Sequence, residues 1–136
     1  MRYLGIDYGS RRVGLALSDE GGMMGFPKEI MINTPRLVEE VAALIVKEGV
    51  GAVVVGESKD FSGAENIIAK DARALGDALH ERAGIPVFYE SETLTSAEAR
   101  RTQDTVEKTR APRTRAPVDA SAAALILTSF LSKQRP

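Results

Sequence analysis

After residue 33 the connections between apolar runs change character, and this constrains the fold more than any other feature of the chain. Before that point, strand-like runs at residues 3–7, 12–18 and 28–32 are separated by turns of the Tyr8-Gly9-Ser10-Arg11 and Asp19-Glu20-Gly21-Gly22 kind. Turns this short join only antiparallel neighbours. Gly9 is the residue expected to supply a positive φ in the first. Pro27 leads into the third run, as suits an edge strand. After residue 33 the spacing lengthens to helical connections, which parallel strands require. Thr34-Pro35 has the form of an N-cap and first helical residue, and Leu37, Val38, Val41, Leu44 and Ile45 repeat at helical spacing until Gly49. The run Ala52-Val53-Val54-Val55-Gly56 is apolar without alternation, as in a strand covered on both faces. A second helix is expected over residues 64–83, with Ile68, Ala72, Leu75 and Leu79 as its stripe, closed by Gly84. A fifth strand follows at residues 85–89. Thr95 and Glu98 form a capping box for another helix, and an apolar helix over 120–131 ends the pattern.

The predicted order is β-β-β-α-β-α-β-α-α. It describes an α/β protein with a mixed five-stranded sheet, three antiparallel strands and then parallel ones, flanked by helices. No internal repeat or linker divides it, so residues 1–136 are expected to form one domain.

Composition removes several chemistries. The chain has no cysteine and one histidine, which excludes disulfides, zinc–thiolate sites, cysteine nucleophiles and multi-histidine metal centres. His80 stands among charged neighbours and is expected at the surface. Met23, Met24 and Phe26 are expected to cover the core or the sheet edge. No apolar stretch approaches the ~18 residues of a membrane span, and no secretory leader pattern opens the sequence. A cytoplasmic protein without membrane contact is expected.

Charge is unevenly distributed. The whole chain carries −1, yet residues 100–117 hold six basic and two acidic side chains, so that segment is +4 and the remainder −5. A basic limb on an acidic body suits contact with a phosphate backbone, although a solvated loop gives the same composition.

In open sheets of this class, ligands gather at the carboxyl ends of the parallel strands. Asp7 ends the first strand, Glu90 and Glu92 follow the fifth, and Asp119 opens the last helix. Together these carboxylates suit hard cations such as Mg²⁺ or Mn²⁺, and paired ions of that kind serve phosphodiester hydrolysis. Each acid alone also has a structural reading: Asp7 as a turn residue, Asp119 as a helix cap, and Glu90 or Glu92 as loop acids. The loop from Gly56 to Gly63, with Lys59 and Ser62 before a helix N-terminus, suits either a phosphate or an ordinary capped connection.

The opening from Tyr3 to Asp19, with Gly5-Ile-Asp7-Tyr-Gly-Ser10 at its centre, resembles that of the YqgF (RuvX-like) family. The resemblance continues through Val53-Val-Val-Gly56, Glu92-Thr-Leu94-Thr95-Ser96-Ala-Glu98-Ala and Val118-Asp119-Ala-Ser-Ala-Ala-Ala-Leu-Ile-Leu127, and so spans nearly the whole chain. It implies a ribonuclease H-like fold and a metal-dependent nuclease. The substrate it implies is the 5′ end of precursor 16S ribosomal RNA or, alternatively, branched DNA cleaved as by a Holliday junction resolvase. The family's catalytic and metal-binding acids match Asp7, Glu92 and Asp119, with Glu90 as a further candidate ligand. Arg11, Arg12, Lys59, Arg110, Arg113 and Arg115 are the basic residues expected to contact nucleic acid, in a monomer or homodimer. Ser91 and Thr93 stand where the family usually has Asp and Arg, and Glu57-Ser58 where it has Leu-Pro. Two other readings remain open. Gly5-Ile-Asp7-x-Gly9-Ser10 is also similar to the first phosphate motif of actin-like ATPases, which need a second such domain. The chain is alternatively a nucleic-acid-binding protein that kept the fold without the chemistry.

Overall fold

The computed structural model describes residues 1–57, 64–91 and 120–134. Five strands, β1 (Arg2–Tyr8), β2 (Arg12–Ser18), β3 (Gly25–Ile32), β4 (Val50–Glu57) and β5 (Val87–Ser91), form one sheet in the order β3-β2-β1-β4-β5. The first three are antiparallel neighbours, whereas β4 runs parallel to both β1 and β5. Helices α1 (Leu37–Glu48) and α2 (Ala64–Ala83) cover one face, and α3 (Ala120–Gln134) covers the other. The expected mixed sheet is therefore present, with its connections changing from turns to helices where the sequence changes.

Strand alternation separates two cores. Leu4, Ile6, Val13, Leu15, Val53 and Val55 face α1 and α2, against Val41, Leu44, Ile45, Leu75 and Leu79. Ala16 and Val54 face α3, against Ala123, Ile126, Leu127 and Phe130. The second face is lined with small residues, and the helix lies close to it. A Cβ added to Gly5 would stand 2.8 Å from Leu127 Cβ and 2.9 Å from the Ala123 carbonyl oxygen. One at Gly25 would stand 3.0 Å from the Ala124 carbonyl.

Several boundaries differ from expectation for identifiable reasons. Thr34 does not cap α1. Its hydroxyl accepts a hydrogen bond from the Arg36 N–H (3.2 Å) and its carbonyl one from the Leu37 N–H (3.0 Å), closing a turn before the helix starts. Arg36 occupies the N-cap position without a side-chain hydrogen bond. Gly49 and Gly84 close their helices in the left-handed conformation, as expected. Gly9 is not among the positive-φ residues; in the second turn that role falls to Gly22. The Asp19 carboxylate organises the second turn, accepting from the N–H groups of Gly21, Met23 and Met24. The Met24 and Met23 bonds, in that order, lower its pKa below the usual carboxylate value of 3.8.

β3 begins three residues earlier than expected. Pro27 pairs with Ala16 and Glu29 with Leu15, so Lys28 is an extra residue in a bulge. Met23, Met24 and Phe26 are about half exposed, and Phe26 lies on the edge strand, the second of its two expected places. β5 begins two residues later than expected, because the Ile85 carbonyl accepts a hydrogen bond from His80 Nδ1 (2.8 Å) and is held outside the strand. His80 is exposed, as expected. The expected helix from Thr95 lies outside the described residues, as does the Gly56–Gly63 loop beyond Glu57.

Candidate active site

Asp7 occupies the last turn of the pleat in β1, on the α3 face, and is 5% exposed. Its neighbours on the adjoining strands are glycines. Gly14 of β2 is its direct partner. The parallel register that pairs Ile6 with Val55 brings Gly56 beside it one residue further along. Both flanking positions lack a side chain, so the carboxylate stands over a shallow floor of bare backbone.

Glu90 shares that row. Gly56 pairs with Glu90, which sets Asp7, Gly56 and Glu90 side by side on three strands. The backbones bearing the two acids are then about 9–10 Å apart, two strand spacings. Glu90 was expected beyond the end of β5 and instead lies within it, 6% exposed. Two side chains of α3 hold its Oε2: Lys133 Nζ at 2.8 Å and Ser129 Oγ at 2.8 Å. Both donate to the same oxygen, so the carboxylate is anchored through one edge.

Arg11 and Arg12 are exposed in the hairpin that follows Asp7. Asn33 fixes the hairpin from the side, its Nδ2 donating to the Gly9 carbonyl (2.8 Å) and its backbone N–H to the Arg11 carbonyl (2.8 Å). Glu92, Asp119, Lys59, Arg110, Arg113 and Arg115 lie outside the described residues. Among the described residues no group of three potential metal ligands occurs, and the row contributes two carboxylates.

A second polar cluster lies on the opposite face. Arg73 pairs with Glu57 at the end of β4 and stacks over the Tyr89 ring, 4.3 Å from its centroid. Burial, reinforced by Asp77, raises the Tyr89 hydroxyl pKa above 10.0. This cluster ties α2 to the carboxyl ends of β4 and β5. Sequence reasoning missed both Lys133 and Ser129; a lysine near the end of an otherwise apolar helix, opposite a strand acid, is the signal that points to them.

Residues 1–133 match the family model described as "RuvX: Holliday junction resolvase". The chain belongs to the RuvX family. A relative in Oleidesulfovibrio alaskensis, named "Putative pre-16S rRNA nuclease", is 38% identical, over 97% of this chain and 92% of that protein. One of the same name in Desulforudis audaxviator is 34% identical over 99% and 96%. In three dimensions this RuvX family member is similar to T. thermophilus RuvC in complex with a Holliday junction substrate. That match has a TM-score of 0.65 at 19% identity and covers 98% of this chain and 95% of RuvC. The fowlpox virus Holliday junction resolvase is similar at a TM-score of 0.54 and 12% identity, with coverage of 98% and 99%. The fold is ribonuclease H-like. In this RuvX family member, Asp7 therefore stands at the carboxyl end of the central strand of a fold shared with resolvases.

Proposed function

We propose that this protein is a divalent-metal-dependent nuclease, one domain over residues 1–136, acting in the cytoplasm on the 5′ end of precursor 16S ribosomal RNA. The observation that carries it is the buried Asp7 carboxylate between two glycines, at the ligand-binding edge of a ribonuclease H-like sheet. The names of its relatives supply the substrate.

The donor chemistry fits the proposed ions. Asp7 offers hard oxygens, the flanking glycines leave room, and the chain has no cysteine to favour a softer metal. Asp7, Glu92 and Asp119 would hold Mg²⁺ or Mn²⁺, with Glu90 beside them. Such ions, when bound, activate water and stabilise the leaving oxygen of a phosphodiester. The other residues have separate tasks. Asp7 fixes the ligand set at the strand end. The basic residues Arg11, Arg12, Lys59, Arg110, Arg113 and Arg115 offset the repulsion between a polyanion and an acidic site. Glu90, anchored by Lys133 and Ser129, keeps α3 docked where Asp119 precedes it in the chain.

Labelled precursor RNA and a four-way DNA junction, each incubated with Mg²⁺, Mn²⁺ or chelator, test this. Trimming of the RNA that needs the metal is expected, and Asp7→Asn should reduce it by at least about 100-fold, as loss of a group that organises transition-state charge does. Cleavage of the junction alone would assign the substrate to branched DNA instead. Metal-independent or absent cleavage of both would overturn the proposal.

A further inference from the structure

The row that holds Asp7 and Glu90 continues on the other side of Asp7. Gly14, the direct partner of Asp7, pairs in turn with Ile30 of β3, so Ile30, Gly14, Asp7, Gly56 and Glu90 share the α3 face. The two ends of this row differ. At the β5 end Glu90 is buried and already engaged by Lys133 and Ser129. At the β3 end Ile30 is 44% exposed, with its backbone two strand spacings, about 9–10 Å, from that of Asp7. Ile32 is the next residue on the same face and is 62% exposed. Arg12, directly opposite Ile32 on β2, is exposed as well. Helix α3 meets β3 at Gly25, whose N–H donates to Thr128 Oγ1 (3.0 Å), and leaves Ile30 and Ile32 open to solvent.

We propose that Ile30 and Ile32 form a shelf for the sugar and base of the nucleotide next to the phosphate at Asp7, with Arg12 on the phosphate beyond. The proposal rests on the nuclease reading above and adds to it a requirement for an unpaired nucleotide at that position. Three observations carry it. The first is position. Gly14 alone separates Ile30 from Asp7 in the row, so a chain lying across the bare floor reaches the isoleucine with no intervening side chain. The second is chemistry. Aliphatic side chains gain by covering the flat face of a base or the carbons of a sugar, and isoleucine is among the wedges that unstack neighbouring bases. A base that is paired and stacked inside a duplex has no free face to offer. Isoleucine also carries no donor or acceptor, so the shelf distinguishes unpaired from paired nucleotides and does not read which base is present. The third is charge. Arg11 and Arg12 are exposed beside the shelf, β2 carries no acid, and Glu29, the one acid of β3, pairs with Leu15 and so faces α1 and α2. The approach from β3 therefore complements a polyanion.

Three fluorescent 12-mers titrated into the full chain test it, with Ca²⁺ in place of Mg²⁺ to hold cleavage back. They are a mixed-sequence single-stranded RNA, the same strand annealed to its complement, and an abasic ribose–phosphate strand. Wild type should bind the single strand about fivefold or more tightly than the abasic strand. Ile30→Thr combined with Ile32→Thr, which keeps the β-branched shape, should remove that difference. It should leave affinity for the abasic strand and the duplex unchanged. Arg12→Gln should weaken binding of all three. Both isoleucines are exposed, and an unchanged melting temperature shows that the double variant is folded. Equal wild-type affinity for intact and abasic strands overturns the inference, as does a double variant that binds the single strand like wild type or weakens equally on all three ligands. A double variant that turns a dimer into a monomer in sedimentation, with RNA binding intact, would assign the shelf to a second copy of this chain and overturn it too. Metal-dependent cleavage without the single-strand preference would end this inference and spare the nuclease reading; absence of all binding and cleavage would end both.

Discussion

The Glu90–Lys133 pair divides its cost unevenly. Glu90's side chain is 7% exposed and Lys133's is 50% exposed, so the carboxylate has surrendered most of its water while the ammonium keeps much of its own. Removing the lysine leaves a buried charge with the Ser129 hydroxyl as its remaining described partner. Lys133→Met should therefore destabilise the fold by about 1–3 kcal/mol, less than a fully buried pair because one partner is half solvated. Glu90→Gln in the same chain should restore much of that loss, since a neutral amide still accepts from Ser129. Urea unfolding of the two single variants and the double variant measures the coupling; independent effects would show that the ion pair contributes nothing. Sequence showed Glu90 as an acid near a strand end. It did not show the strand running two residues further, because that end is set by the pairing of Glu90 and Ser91 with Gly56 and Glu57 of β4. The type of Asp7 and its place at a strand end were legible; Gly14 and Gly56 beside it were not, because strand pairing alone makes them neighbours.

Between elements, the close approach of α3 to the sheet is the least forgiving contact. At Gly5 an added methyl meets the Ala123 carbonyl and the Leu127 Cβ, neither of which can swing aside. Gly5→Ala should cost about 1–3 kcal/mol, the usual range for overpacking. At Gly51 the same change meets the Met1 side chain, whose flexible end can move, and should cost much less. Thermal melting of both variants makes the comparison. The order of elements was legible because apolar period and turn length are local properties. Val53–Val55 and the closing glycines Gly49 and Gly84 carry those signals directly. The start of α1 was not, because Thr34 uses its cap-forming hydroxyl in a turn of its own two residues too early. The rotation of α3 that brings Ser129 and Lys133 onto Glu90 is marked only by Lys133, because the other polar residues of its last turns, Thr128, Ser129 and Ser132, do not single out one side.

For the molecule as a whole, the acidic body and basic limb make association with nucleic acid a balance of long-range terms. Replacing Arg110, Arg113 and Arg115 by Gln should weaken binding across sequences and lower the slope of log affinity against log salt by up to about three. Circular dichroism should be unchanged, and a slope equal to wild type would assign those residues to solvent. This expectation came from the composition of residues 100–117 and required no knowledge of the fold. The two faces of β1 required the fold, since they depend on which helices cover each side.

The outer rim of the sheet has one more consequence. Among the described residues β3 is an edge strand, and its Phe26, Ile30 and Ile32 are 44–62% exposed, a combination that in a flat strand invites another chain to add on. Pro27 removes a backbone donor near the start of that flank, and the extra residue at Lys28 breaks its repeat and places a cation next to it. An incoming strand would find its ladder interrupted within a few residues. The apolar rim is thus closed to a partner that needs its hydrogen bonds.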